Sequence, residues 1–119
     1  MAPKRGERVA PPARAGEWTL VFGEKAAAEG WEELCHQAPG NTREAWENIS
    51  RNPRDRTKNP DRVAQLRGEL GTRVVKGKTL EQWQYEVTSG GRIWYCPDDA
   101  ERVVYITHSA CGHPRQTGR

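Results

Sequence analysis

His108, Cys111, His113 and Arg115 fall close together in the stretch THSACGHPRQT, residues 107–117. Imidazole and thiolate are zinc ligands, and His108-x-x-Cys111-x-His113, completed by Cys35-His36 or Cys96, offers the makings of a tetrahedral site. The spacing is not that of a known finger, and no Cys-x-x-Cys pair occurs. Isolated cysteines in a small domain usually act as buried hydrophobes, so neither a metal nor another cofactor is expected. The second chemistry open to the same residues is proton transfer by an imidazole that titrates near neutrality, next to a guanidinium able to hold a phosphate. There is no phosphate-binding G-x-x-x-x-G-K-[ST] loop and no nucleophile elbow, which argues against nucleotide hydrolysis and triad chemistry.

Charge is distributed unevenly. Residues 17–50 carry two basic groups (Lys25, Arg43) against seven acidic ones, whereas residues 51–78 carry nine basic groups against three acidic ones. A basic block of that size suits a polyanion such as nucleic acid, and a solvated, self-repelling loop is the competing reading. The chain has 119 residues and only 34% hydrophobic residues, yet five Trp, three Tyr and one Phe. Aromatic side chains bury roughly 150–250 Å² each, so nine of them can build one modest core. Three cysteines, an odd number, and an N-terminus without an apolar run predict a reduced, cytoplasmic protein. No stretch is apolar enough for a membrane span.

The elements that must position the chemistry follow from periodicity. Residues 1–16, rich in Pro, Ala and Arg, predict a mobile arm outside the fold, leaving residues 17–119 as a single domain. EWTLVF (17–22) is a strand candidate. Ala27, Trp31, Leu34 and Cys35 form an amphipathic stripe for a first helix that stops near Pro39-Gly40. Asn41 with Glu44 three residues later has the pattern of an N-cap and capping box for a second helix, faced by Ala45, Trp46 and Ile49 and ending before Pro53. Residues 52–60 read as a basic loop, Leu66, Gly68 and Leu70 as a weak strand, and residues 71–79 as an exposed loop whose Val74-Val75 could extend the sheet. WQYEV (83–87) and RIWYC (92–96) flank Gly90-Gly91 as a hairpin. A three-residue loop, Ser89 to Gly91, puts Trp83, Tyr85, Val87, Ile93 and Tyr95 on the core face and Gln84, Glu86, Thr88, Arg92 and Trp94 on the other. Residues 102–107 (RVVYIT), apolar on both faces, predict a central strand. The class is therefore α+β, with an N-terminal strand and a helical hairpin packed on one face of a small twisted antiparallel sheet.

The helical hairpin, the phrase LRGELG, then WQYEVTSGGRIWY, an acidic turn and a last strand leading to CGHPR together resemble the RelE/ParE superfamily of bacterial toxin–antitoxin systems. The resemblance runs from about Trp18 to Arg115, and its most specific part is GGRIWY through CGHPR. It implies a RelE-like, microbial ribonuclease-type fold. It also implies a toxin acting as a ribosome-dependent, metal-independent messenger RNA endonuclease that inhibits translation, with a cognate antitoxin, the ribosome and mRNA as partners. The alternative is a ParE-like inhibitor of DNA gyrase, or a non-catalytic binding module of the same fold. Fold alone does not choose between them.

On the ribonuclease branch the resemblance implies catalytic roles for three residues. Arg92, the arginine of the R-hydrophobic-hydrophobic-Tyr strand, stabilises charge at phosphorus; its competing role is an ion pair with Glu86. His113, after Gly112, acts as general acid, and Glu86 as base. Glu86 and Gln84 stand where some members carry basic residues, and no tyrosine follows His113. Arg67, Arg73, Lys76, Lys78 and Arg115 are expected to hold RNA phosphates, with Trp94 as a base-stacking platform. His108, at the end of the last strand, reads as a capping or packing residue.

Overall fold

The computed structural model describes residues 3–9 and 11–112, so His113 and Arg115 lie outside the described residues. The chain forms β1 (Thr19–Phe22), α1 (Lys25–Gln37), α2 (Pro39–Arg51), β2 (Val63–Gln65), a 3-10 turn (Gly68–Gly71), β3 (Thr72–Val75), β4 (Lys78–Glu81), β5 (Trp83–Glu86), β6 (Arg92–Asp98) and β7 (Val103–Ala110). Five strands make one sheet in the order β1-β7-β6-β5-β2, and β3 pairs with β4 in a separate two-stranded sheet. The domain is α+β, as expected, but its sheet is mixed: β1 runs parallel to β7, from Thr19 opposite Val103 to Phe22 opposite Ile106. A parallel neighbour requires a long crossover, and the chain between β1 and β7 holds both helices and all the other strands. β7 is central, between β1 and β6.

α1 buries Ala27, Ala28, Trp31 and Leu34, while Cys35, placed on that stripe from sequence, is exposed. The helix lies on β7 at Gly30, where an added Cβ would sit 1.9 Å from the carbonyl oxygen of Ser109. Trp31 meets Phe22 of β1 edge-on, with ring centroids 6.2 Å apart. The turn between the helices is tighter than the capping signature implied. Ala38 ends α1 and caps α2, and Pro39 occupies the first turn of α2, where its missing N–H costs nothing and its fixed φ already suits a helix. Asn41 is therefore inside α2, and its side-chain amide donates instead to Val87 O, 3.0 Å away, tying the helix to the β5–β6 loop. α2 adds Ala45, Trp46 and Ile49 to the core.

Within the stretch expected as a mobile arm, Val9 is buried in the core. Its N–H donates to Leu20 O at 2.7 Å and the indole N–H of Trp46 donates to its carbonyl at 3.4 Å, so this segment lies along the outer edge of β1. The weak strand expected at 66–70 is displaced to Val63–Gln65, because Gly68 takes φ +63 and begins the 3-10 turn. The loop expected at 71–79 is the β3–β4 hairpin, turned by Lys76 and Gly77 at φ 52 and 81, the left-handed pair that a two-residue turn uses to match strand twist.

The β5–β6 faces are those read from the sequence, since Tyr85, Val87, Ile93 and Tyr95 are all buried in the core. The register is different: Glu86 pairs with Arg92, and Val87 closes a longer loop by donating to Gly91 O at 2.8 Å. A shift of two residues on the partner strand preserves the side-chain parity. The Tyr95 hydroxyl, buried beneath the loop after α2, donates to Pro53 O at 2.7 Å.

Candidate functional site

Side chains on the sheet face away from the helices form two rows across neighbouring strands. In one, Gln84 of β5 lies opposite Trp94 of β6, which lies opposite His108 of β7; in the other, Glu86 lies opposite Arg92, which lies opposite Ala110. Directly opposed residues have Cβ atoms about 5 Å apart and diagonal neighbours about 7–8 Å, within reach of long and aromatic side chains. The Trp94 indole N–H donates to Gln84 Oε1 at 2.8 Å, which fixes the ring. Its face meets the His108 imidazole, with centroids 4.7 Å apart at a 46° tilt.

A bulge brings His108 into this group. Trp94 pairs with His108 but Tyr95 pairs with Ile106, so Thr107 has no partner on β6. Val104 and Ile106 point into the core, and strict alternation from them would send His108 inward too. The extra residue resets the alternation, leaving Thr107 and His108 together on the face away from the helices, with Ser109 turned back beneath Gly30. The Thr107 hydroxyl donates to Gln82 Oε1 at 2.5 Å, and the Gln82 amide donates to Leu70 O at 2.9 Å. Gln82 is itself buried, so this side-chain link fastens the bulge to the 3-10 turn.

Burial, then the positive charges of Arg92 and Arg73, hold the His108 imidazole below its ordinary pKa. It is therefore neutral at pH 7 and available as a proton acceptor. By sequence alone His108 reads as a capping or packing residue, because nothing in a linear sequence marks a bulge. Arg92 donates weakly to Gly90 O at 3.5 Å, and it makes no ion pair with Glu86 among the described residues, although the two are directly paired in the hairpin.

The other expected RNA contacts separate into two groups. Arg73 of β3 reaches over the sheet near His108 and Cys96 while bridging to Glu24. Lys76, at the β3–β4 turn, stands over the Tyr105 ring at 6.0 Å. Arg5, Lys76, Tyr105 and Thr107 help to line a cleft of about 710 Å³ that adjoins the His108 face. Lys78 is committed elsewhere, to the buried Asp98 at 2.8 Å, and its hydrogen bond holds that carboxylate below the usual range. Arg67 is exposed and far along the chain direction from Arg92, beyond the Gln65–Trp83 end of β2 and β5.

Much of the basic block serves the fold. Arg54 binds Glu81 and Asp99, Arg56 donates to the carbonyls of Val63 and Pro60, and Arg62 donates to those of Glu86 and Val87. A loop without apolar residues is held by charge-assisted hydrogen bonds to backbone carbonyls.

The metal constellation is divided by the strand. His108 faces away from the helices, whereas Cys111 packs against the core on the α1 side, its thiol 3.6 Å from Glu33 Oε1. No three His, Cys, Asp or Glu side chains converge as a metal site among the described residues. No described helix is long and apolar enough to cross a membrane. Comparison with known protein families gives no match for this sequence, and no curated protein matches it significantly.

Proposed function

We propose that this protein is the toxin of a toxin–antitoxin pair and cuts messenger RNA on the ribosome by side-chain chemistry, with a cognate antitoxin, the ribosome and mRNA as its partners. The observation that carries the reading is the grouping of a guanidinium, an imidazole and an aromatic plane, Arg92, His108 and Trp94, on one face of a rigid sheet. Breaking a phosphodiester through its own 2′-hydroxyl calls for stabilisation of charge at phosphorus and for proton transfer. Arg92 supplies the first, Trp94 offers a plane for an unstacked base, Arg73 adds positive charge near His108, and Arg5 and Lys76 add it along the adjoining cleft.

Inducing the chain without an antitoxin tests the proposal. The expected outcome is arrest of protein synthesis with cleaved transcripts, abolished by Arg92→Ala in a variant that keeps its circular dichroism and melting behaviour. Double-strand DNA breaks without transcript cleavage would identify the gyrase-inhibitor reading instead. Unaffected growth would eliminate both.

A further inference from the structure

We infer that His108 is the general base of the RNA cleavage proposed above, and that Thr107 and Gln82 are positioning residues whose hydrogen bond holds the bulge that aims it. The inference rests on the ribonuclease reading and replaces Glu86 in that role. Glu86 lies on the same face but beside Ala110 and Arg92, in the row away from Trp94. His108 is in contact with the Trp94 indole on that face, so a base stacked against Trp94 brings its ribose near the imidazole, with Arg92 diagonal to it to receive the phosphate.

In the step, the O2′ proton passes to the His108 imidazole as O2′ bonds to phosphorus. The P–O5′ bond breaks with its electron pair on O5′, which takes a proton from water, and the resulting hydroxide removes the proton from His108. The products are a 2′,3′-cyclic phosphate and a 5′-hydroxyl. The charged groups around the imidazole suit a base that must be neutral before the step. Arg92 from β6 and Arg73 from β3 face it, Arg73 bridges onward to Glu24, and Glu86 of β5 is one row away.

The bulge accounts for the buried polar link beneath it. Gln82 is 2% exposed, and besides the Thr107 hydroxyl and Leu70 O it is fixed by its backbone, whose N–H donates to Gly71 O at 2.9 Å and whose carbonyl accepts from Leu66 N–H at 3.0 Å. An unpaired Thr107 thereby gains a rigid partner, and the strand cannot relax to strict alternation without leaving Gln82 Oε1 without its hydroxyl donor.

Single-turnover cleavage of mRNA on programmed ribosomes, followed against pH, tests the assignment. His108→Gln is expected to lower the rate about 10²–10⁴-fold with half-saturation changed less than threefold, and to abolish the acid limb of the wild-type pH profile. Thr107→Val should lower the rate with little change in half-saturation, and Thr107→Ser should restore it. A His108→Gln variant that cuts within threefold of wild type, or that retains the acid limb, overturns the assignment while leaving the ribonuclease reading in place. Wild-type protein that fails to cut at any pH overturns both. Melting curves for each variant separate lost chemistry from lost fold.

Discussion

Replacing Gly30 with Ala tests the contact on which the site is built. The new Cβ would stand 1.9 Å from Ser109 O and 2.6 Å from its carbonyl carbon. A carbon–oxygen contact needs about 3.3 Å, so α1 and β7 must separate by about 1.4 Å. The opposing atoms are backbone, in a strand held at that point by its pairing with Ile93 of β6, and cannot swing away as a side chain could. A gap of about 0.5–1 Å already forfeits a quarter to a half of the dispersion energy at a contact, and Ala27, Trp31 and Leu34 all sit along the same interface. Overpacking of this kind costs about 3 kcal/mol at the upper end of its usual range, and the better helix propensity of Ala returns about 1 kcal/mol. The net loss of about 2 kcal/mol corresponds to a fall in Tm of about 8 °C for a domain of this size. Urea and thermal unfolding followed by circular dichroism measure it. Gly40→Ala is the control, because its Cβ would meet nothing within 4 Å, and it should leave stability unchanged or raise it by up to about 1 kcal/mol. A Gly30→Ala protein that melts at or above the wild-type temperature would refute the close approach of α1 to Ser109.

Three further outcomes are expected. Tyr95→Phe removes the donor to Pro53 O beneath the core and should cost about 1–2 kcal/mol in urea unfolding; an unchanged midpoint would mean the carbonyl finds another partner. Lys76→Asn places a residue tolerant of left-handed backbone at φ 52 and should stabilise the β3–β4 turn by about 0.5 kcal/mol, whereas a loss of stability would argue that the Lys76–Tyr105 contact outweighs turn strain. His108 has a folded pKa below its unfolded value, so its neutral form favours the fold. That contribution is complete above about pH 6.5 and is lost as pH falls from there through the lowered folded value. Stability of His108→Gln should therefore decline less steeply than that of wild type between about pH 7.5 and about pH 5, and parallel slopes would contradict the shift.

Local pattern determined a good deal. The helix stripes of Ala27, Trp31 and Leu34 and of Ala45, Trp46 and Ile49, the β5–β6 hairpin with its two faces, and the central position of the last strand are all legible in the sequence, because each rests on a period of 3.6 or 2 in side chains that must leave water. The same alternation placed Arg92 and Trp94 together on the face away from the core. Tertiary structure decided what depends on partners distant in sequence. β1 runs parallel to β7, Val9 joins the core, and Asn41 serves a loop carbonyl rather than its own helix, because each is settled by a neighbour that arrives later in the chain. Six of the block's nine cations, Arg51, Arg54, Arg56, Arg62, Arg73 and Lys78, make hydrogen bonds or ion pairs within the fold, so charge counted along the chain overstated what is left for a polyanion. His108 is the sharpest instance: alternation alone turns it inward, and a single unpaired residue at Thr107, held by a glutamine twenty-five positions away, turns it out beside Trp94.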